Sequence, residues 1–122
     1  MPRHILLVDD DPSILRLEEK ILRDAGYTVE SAVDGTAALE RLEATAYDAI
    51  VLDLTLPGMD GYEVAQRIRR FEGHRTTPIL IVTASREADA RKLRSEVGAE
   101  LFFKPFTAGT FLSVVRGVTG PP

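Results

Sequence analysis

Tyr47-Asp48-Ala49-Ile50-Val51-Leu52-Asp53-Leu54-Thr55-Leu56-Pro57-Gly58-Met59-Asp60-Gly61 is the stretch that decides the fold. Ala49 to Leu52 are apolar without a break, with β-branched Ile50 and Val51 at the centre. Such a run suits a strand covered on both faces, as in a parallel sheet. It ends on a carboxylate, Asp53, and then meets the breakers Pro57-Gly58 and Asp60-Gly61. A charged residue at the end of a buried strand belongs at the carboxyl edge of the sheet, where open α/β sheets bind their ligands.

Outward from this stretch, strand and helix signals alternate five times. Ile5 to Val8 form a short apolar run that stops at Asp9-Asp10-Asp11. Asp11 can cap the helix that follows, with Pro12 in its first turn. Ile14, Leu17, Ile21, Leu22 and Ala25 recur at helical spacing up to Gly26. A weaker strand spans Tyr27 to Ala32, and Asp34-Gly35-Thr36 opens a helix that turns Ala38, Leu39 and Leu42 inward. After Gly61, the residues Val64, Ala65, Ile68 and Phe71 make the next apolar stripe. Pro78 to Thr83 read as the fourth strand, Arg86 to Val97 as a helix with little to bury, and Leu101 to Phe103 as the fifth strand. Ala108 to Val118 give the last helix. Strands alternating with helices in this way call for a parallel sheet wrapped on both faces by right-handed crossovers. The expectation is one domain over residues 1–118, with 119–122 as a frayed end or the start of a linker.

Composition narrows the function classes. Hydrophobic residues are 44% of the chain, enough for a packed core. No apolar run approaches membrane-spanning length, so no membrane partner is expected. The net charge of −4 argues against direct nucleic-acid binding by this domain. There is no cysteine, hence no thiol nucleophile or thiolate metal site, and a cytoplasmic setting is the expectation. His4 and His74 fall outside the acidic positions and read as solvated or strand-start residues. Arg86, Arg91, Lys92 and Arg94, interleaved with Glu87, Asp89 and Glu96, read as a solvated face. With Glu100 and Arg116 they could make a homodimer contact.

The polar residues Asp9, Asp10, Asp53, Thr83 and Lys104 all fall at carboxyl ends of strands and should therefore meet on one edge. Two like charges about 4 Å apart repel by roughly 4 kcal/mol at an effective dielectric near 20. Three carboxylates so placed need a cation or a proton. Lys104 supplies one positive charge and a divalent ion would supply two. Oxygen ligands without nearby His or Cys select Mg²⁺, Ca²⁺ or Mn²⁺ over zinc, and so few protein carboxylates suit Mg²⁺ sharing its shell with phosphate oxygens. A carboxylate beside a metal, with a lysine and a hydroxyl close by, is arranged to receive a phosphoryl group.

Val8-Asp9-Asp10, then Asp53 through Pro57-Gly58-Met59-Asp60-Gly61, then Val82-Thr83-Ala84, then Lys104-Pro105-Phe106 resemble the receiver domain of two-component response regulators. The resemblance runs over essentially the whole chain. It implies the CheY-like, flavodoxin-like doubly wound α/β fold, with strand order 2-1-3-4-5. It implies that Asp53 accepts a phosphoryl group from a sensor histidine kinase or phosphotransfer protein. Asp10, Asp53 and the main-chain carbonyl of Thr55 would bind Mg²⁺ (or Mn²⁺), with Asp9 acting through water. Lys104 would pair with the phosphoryl group, and Thr83 would move toward it and bias the face of helix four, strand five and helix five. That face would signal to a downstream output domain or protein. Such a domain is a switch that catalyses its own phosphorylation and dephosphorylation rather than an enzyme on other substrates. Pro105 resembles the family's cis-proline position. Thr55 and Ser85 occupy positions that tune phosphoryl lifetime.

Two departures stand out. The family's usual Tyr or Phe three residues before the lysine is Leu101 here, and the segment from Gly98 to Lys104 is one residue shorter than the common pattern. Strand parity puts Leu101 and Phe103 on one face and Phe102 and Lys104 on the other. Phe102 could replace the missing aromatic only with a change of register. The alternative function is therefore a degenerate receiver that works by protein contact without phosphorylation. A haloacid dehalogenase-like phosphatase would need a second Asp at Thr55, and a flavodoxin-like carrier would need a hydroxyl-rich loop where Asp9 to Asp11 stand.

Overall fold

The computed structural model describes residues 3–54, 58, 60–84 and 90–122. The elements run β1 (His4–Val8), α1 (Pro12–Asp24), β2 (Thr28–Ala32), α2 (Gly35–Ala44), β3 (Ala49–Asp53), α3 (Gly61–Arg70), β4 (Ile79–Thr83), α4 (Ala90–Lys92), β5 (Ala99–Phe103) and α5 (Ala108–Thr119). A short 3₁₀ turn, Glu72–His74, follows α3, and α4 runs on into a π-helical turn, Leu93–Val97. The strands form one parallel sheet in the order β2-β1-β3-β4-β5, with β3 at its centre, the order that the resemblance implies. The expected start of helix four at Arg86 lies outside the described residues.

Strand parity sorts the core into two layers. Leu6, Val8, Ile50, Leu52, Ile79 and Ile81 pack with α2, α3 and the Leu93–Val97 turn. Ile5, Leu7, Ala49, Val51, Leu80 and Val82 pack with Leu15 and Leu22 of α1 and Phe111 and Val115 of α5. The register pairs Ile81 with Leu101 and Val82 with Phe102. Leu101 thus lies in the first layer, and Phe102 lies in the second, in a ring stack with Phe106 and Phe111. No shift of register brings Phe102 to the face where Leu101 stands.

Helix starts follow their caps. Asp11 accepts from Ser13 and Ile14, Asp34 from Ala37, and Asp60 from Glu63. Gly98 closes the π turn at φ 64°, in the left-handed region that glycine tolerates. Gly61 is needed for another reason: a Cβ there would lie 2.5 Å from the Asp53 carbonyl oxygen and 2.7 Å from Leu54 Cα. The bare residue lets its N–H donate to the Leu54 carbonyl at 2.6 Å, tying the first turn of α3 to the end of β3.

Three expectations are corrected. Leu17 is exposed, and α1 buries Leu15 and Glu18 beside the expected Leu22, because the helix phase is set by the sheet and not by the most apolar register. His74 is buried, with Nδ1 2.9 Å from Thr77 Oγ1, a bond to the Thr45 main chain, and its ring stacked near Tyr47. Its polar atoms are satisfied, which is what permits burial. Thr119, expected beyond the last helix, is the final residue of α5 and is buried, and the Tyr27 hydroxyl donates to the Gly120 carbonyl at 2.7 Å.

Two outcomes follow from this packing. Gly61→Ala overpacks the end of β3, so the melting midpoint drops as expected for a loss of about 2 kcal/mol; an unchanged midpoint in a thermal scan contradicts the close approach. Burial, opposed by the bond to Thr45 and reinforced by the charge of Arg69, holds the His74 imidazole below its ordinary value. The unfolded chain therefore binds the proton first, and this contribution to stability is lost as pH falls below about 6.5 toward the folded value. Denaturant titrations of wild type against His74→Gln should show that extra acid-side loss in the wild type alone.

Candidate functional site

The chain arrives at the carboxyl edge of the sheet at four places. Asp9 follows β1, where its N–H continues the ladder to Ala32, and it is buried. Asp10 is the next residue and is exposed. Asp53 is the last residue of β3 and is half-buried. Lys104 follows β5, its N–H donating to the Thr83 carbonyl at 2.8 Å, and the Lys104–Pro105 peptide is cis. Thr83, the last residue of β4, is buried, with the parity of Ile79 and Ile81 and hence on the side of Leu101.

Asp9, Asp10, Asp53 and Lys104 converge as the sequence predicts. Asp9, Asp10 and Asp53 each offer a carboxylate oxygen, and the three oxygens lie within 4.8 Å of one another. Lys104 Nζ stands 3.0 Å from Asp9 Oδ2 and 3.9 Å from Asp53 Oδ2. Capping accounts for only part of the acidic run. Asp11 caps α1, and its own N–H donates to Asp9 Oδ1 at 3.0 Å, which leaves Asp9 Oδ2 to the lysine. The donor set is oxygen throughout and crowded with negative charge, which fits a hard divalent cation. The site residue Thr55 lies outside the described residues, as does Ser85.

Burial alone would push the Lys104 ammonium down. The hydrogen bond to Asp9 and the charges of Asp53, Asp9 and Glu18 outweigh it and hold the group above its ordinary value. The lysine is therefore a fixed positive charge at neutral pH.

The structure adds one acidic residue that the apolar pattern hides. Glu18, on the buried stripe of α1, is 2% exposed and belongs to the same electrostatic cluster. Burial raises its carboxyl most, the charges of Asp9 and Asp53 raise it further against the opposing Lys104, and it is pushed up to about 8. Counting every third and fourth position from Leu15 to Leu22 would have found it; seeking apolar residues passes over it.

Comparison with known proteins agrees with the geometry. A model of the family described as response regulator receiver domain matches residues 5–116. The transcriptional regulatory protein TcrA of Mycobacterium tuberculosis is 35% identical over 116 residues, which are 94% of this chain and 45% of that protein. The DNA-binding dual master transcriptional regulator RpaA of Synechocystis is 40% identical over 119 residues, 97% of this chain and 49% of that protein. The chain thus spans about half the length of these relatives. Among solved structures, the chemotaxis response regulator CheY4 of Vibrio cholerae superposes with a TM-score of 0.90 at 34% identity, covering 97% of this chain and 99% of that one. The receiver domain of a sensor histidine kinase from Pseudomonas aeruginosa, with a magnesium ion coordinated in its active site cleft, does so with a TM-score of 0.86 at 33% identity, covering 98% and 99%. Sheet order, acidic cluster, opposing lysine and these matches lead to one conclusion: the chain belongs to the response regulator receiver domain family.

Proposed function

We propose that this domain is a phosphorylation-dependent switch in which Asp53 accepts a phosphoryl group from the phosphohistidine of a sensor kinase or phosphotransfer protein. One observation carries the reading: a single ammonium, Lys104 Nζ, reaches both Asp9 and Asp53 at the rim of an oxygen cluster sized for a small dication. An Asp53 oxygen attacks phosphorus while the bond from phosphorus to the donor imidazole breaks, its electron pair staying on that ring. Lys104 turns from Asp9 to the arriving phosphoryl oxygens, and Thr83 hydrogen-bonds one of them. Asp10, Asp53 and the Thr55 main-chain carbonyl would hold Mg²⁺ or Mn²⁺, with Asp9 reaching it through water. When bound, that ion neutralises charge on the transferring oxygens.

Catalysis here is confined to the domain's own phosphorylation and dephosphorylation. The output passes from Thr83 through Leu101 to the surface of α4, β5 and α5, and from there to an output domain or partner protein, or to a second copy of the chain. Relatives twice this length that are named as transcriptional regulators support an attached or separate output unit. No helix among the described residues is long and apolar enough to cross a membrane, and a cytoplasmic setting matches that of the proposed kinase output.

Acetyl phosphate with Mg²⁺ should label the wild-type domain at one site. Asp53→Asn should take no label, and chelating the metal should slow labelling by roughly 100-fold or more. Equal labelling of Asp53→Asn, read by intact mass, would remove Asp53 from the role.

A further inference from the structure

Glu18 is a glutamate in a place built for a leucine. It lies between Leu15 and Leu22 on the buried stripe of α1 and is 98% enclosed, yet no hydrogen bond or ion pair joins it to another described residue. It lines a cavity of about 300 Å³ whose other walls are Ile14 and Leu17 of α1 and Lys104, Pro105 and Phe106 of the loop before α5. Strand parity explains the meeting. Asp9, Asp53 and Lys104 continue the parity of Leu7, Val51 and Phe102, which face the α1–α5 layer. Glu18 comes up from that layer beneath them. Among the described residues, the charged groups that act on Glu18 are Asp9, Lys104 and Asp53, all at strand ends.

We propose that Glu18 is a positioning residue of this site that acts through Lys104: its carboxyl competes with Asp9 and Asp53 for the ammonium and so sets how readily that ammonium turns to a phosphoryl group. The inference rests on the phosphoacceptor reading given above. A neutral Glu18 leaves the lysine to the two aspartates at the rim. An ionised Glu18 adds a third carboxylate on the α1 side, draws Lys104 down toward the cavity, and withdraws it from the arriving oxygens. Enclosure in an apolar cavity disfavours the ionised form, so the restraint grows only as the solution becomes alkaline. Burial, reinforced by the charge of Asp9, keeps the acid neutral near pH 7.

A double-mutant cycle tests this. Labelling by acetyl phosphate is measured for wild type, Glu18→Gln, Lys104→Met and the double variant. The ratio of the Glu18→Gln rate to the wild-type rate should rise roughly fivefold between about pH 7 and pH 9. In the Lys104→Met background the same ratio should stay flat. A flat ratio with Lys104 present, or an undiminished rise without it, overturns the proposal. The carboxyl ¹³C resonance of Glu18 gives a readout that needs no phosphoryl transfer. Its titration should move to higher pH in Lys104→Met, because the lysine favours the carboxylate; no movement overturns the proposal. If it moves while Asp53 takes no label in any variant, the coupling of Glu18 to Lys104 stands and the phosphoacceptor reading falls.

Discussion

One ammonium holds together a site that would otherwise push itself apart. Asp9, Asp10 and Asp53 crowd their oxygens within 4.8 Å, and Lys104 Nζ sits 3.0 Å from the first and 3.9 Å from the last. At such spacing like charges repel by about 4 kcal/mol per pair at an effective dielectric near 20. A single lysine cannot cancel three carboxylates, so the pocket keeps a standing deficit of positive charge. That deficit is what a hard divalent cation would offset, as the proposed function requires. The fold exists to maintain it: three separate strand ends deliver the charges, and the β-sheet fixes their spacing. The backbone at Asp9, Asp53 and Lys104 cannot move away without breaking a ladder.

The same frame sorts the groups at the sheet edge between its two layers. Thr83 has the parity of Ile79 and Ile81, on the layer that also holds Leu101. Asp9, Asp53 and Lys104 face the opposite layer, toward α1 and α5. By backbone parity, the acidic groups and Lys104 therefore follow one layer at the sheet edge and Thr83 the other. Leu101, in the layer of Ile79 and Ile81, offers bulk but neither a ring nor a hydroxyl. Phe102 is held in its stack with Phe106 and Phe111 and cannot take over.

Much of this was legible in the sequence, for reasons that differ by element. The central strand could be read because burial on both faces demands a continuous apolar run, and Ala49 to Leu52 supply one. The convergence of Asp9, Asp53 and Lys104 could be read because each ends such a run. Helix phase was harder. In α1 the apolar residues Ile14, Leu17, Ile21, Leu22 and Ala25 suggest one stripe, and the sheet buries Leu22 as expected but takes Leu15 and Glu18 in place of Leu17. Periodicity reports which residues would rather be buried, and the packing of the helix on the sheet can override that preference at one position. His74 escaped for a related reason. Its burial depends on partners at Thr45 and Thr77 that only the folded chain assembles.

The measurement closest to the central claim is a magnesium titration of the intact domain followed by amide shifts. A pocket with an excess of carboxylate charge should give saturable shifts centred on Asp9, Asp10, Asp53 and Lys104. Asp10→Asn and Asp53→Asn should each weaken the binding by about tenfold or more. A folded domain whose spectrum is indifferent to millimolar magnesium, or whose shifts survive both substitutions, would contradict the account.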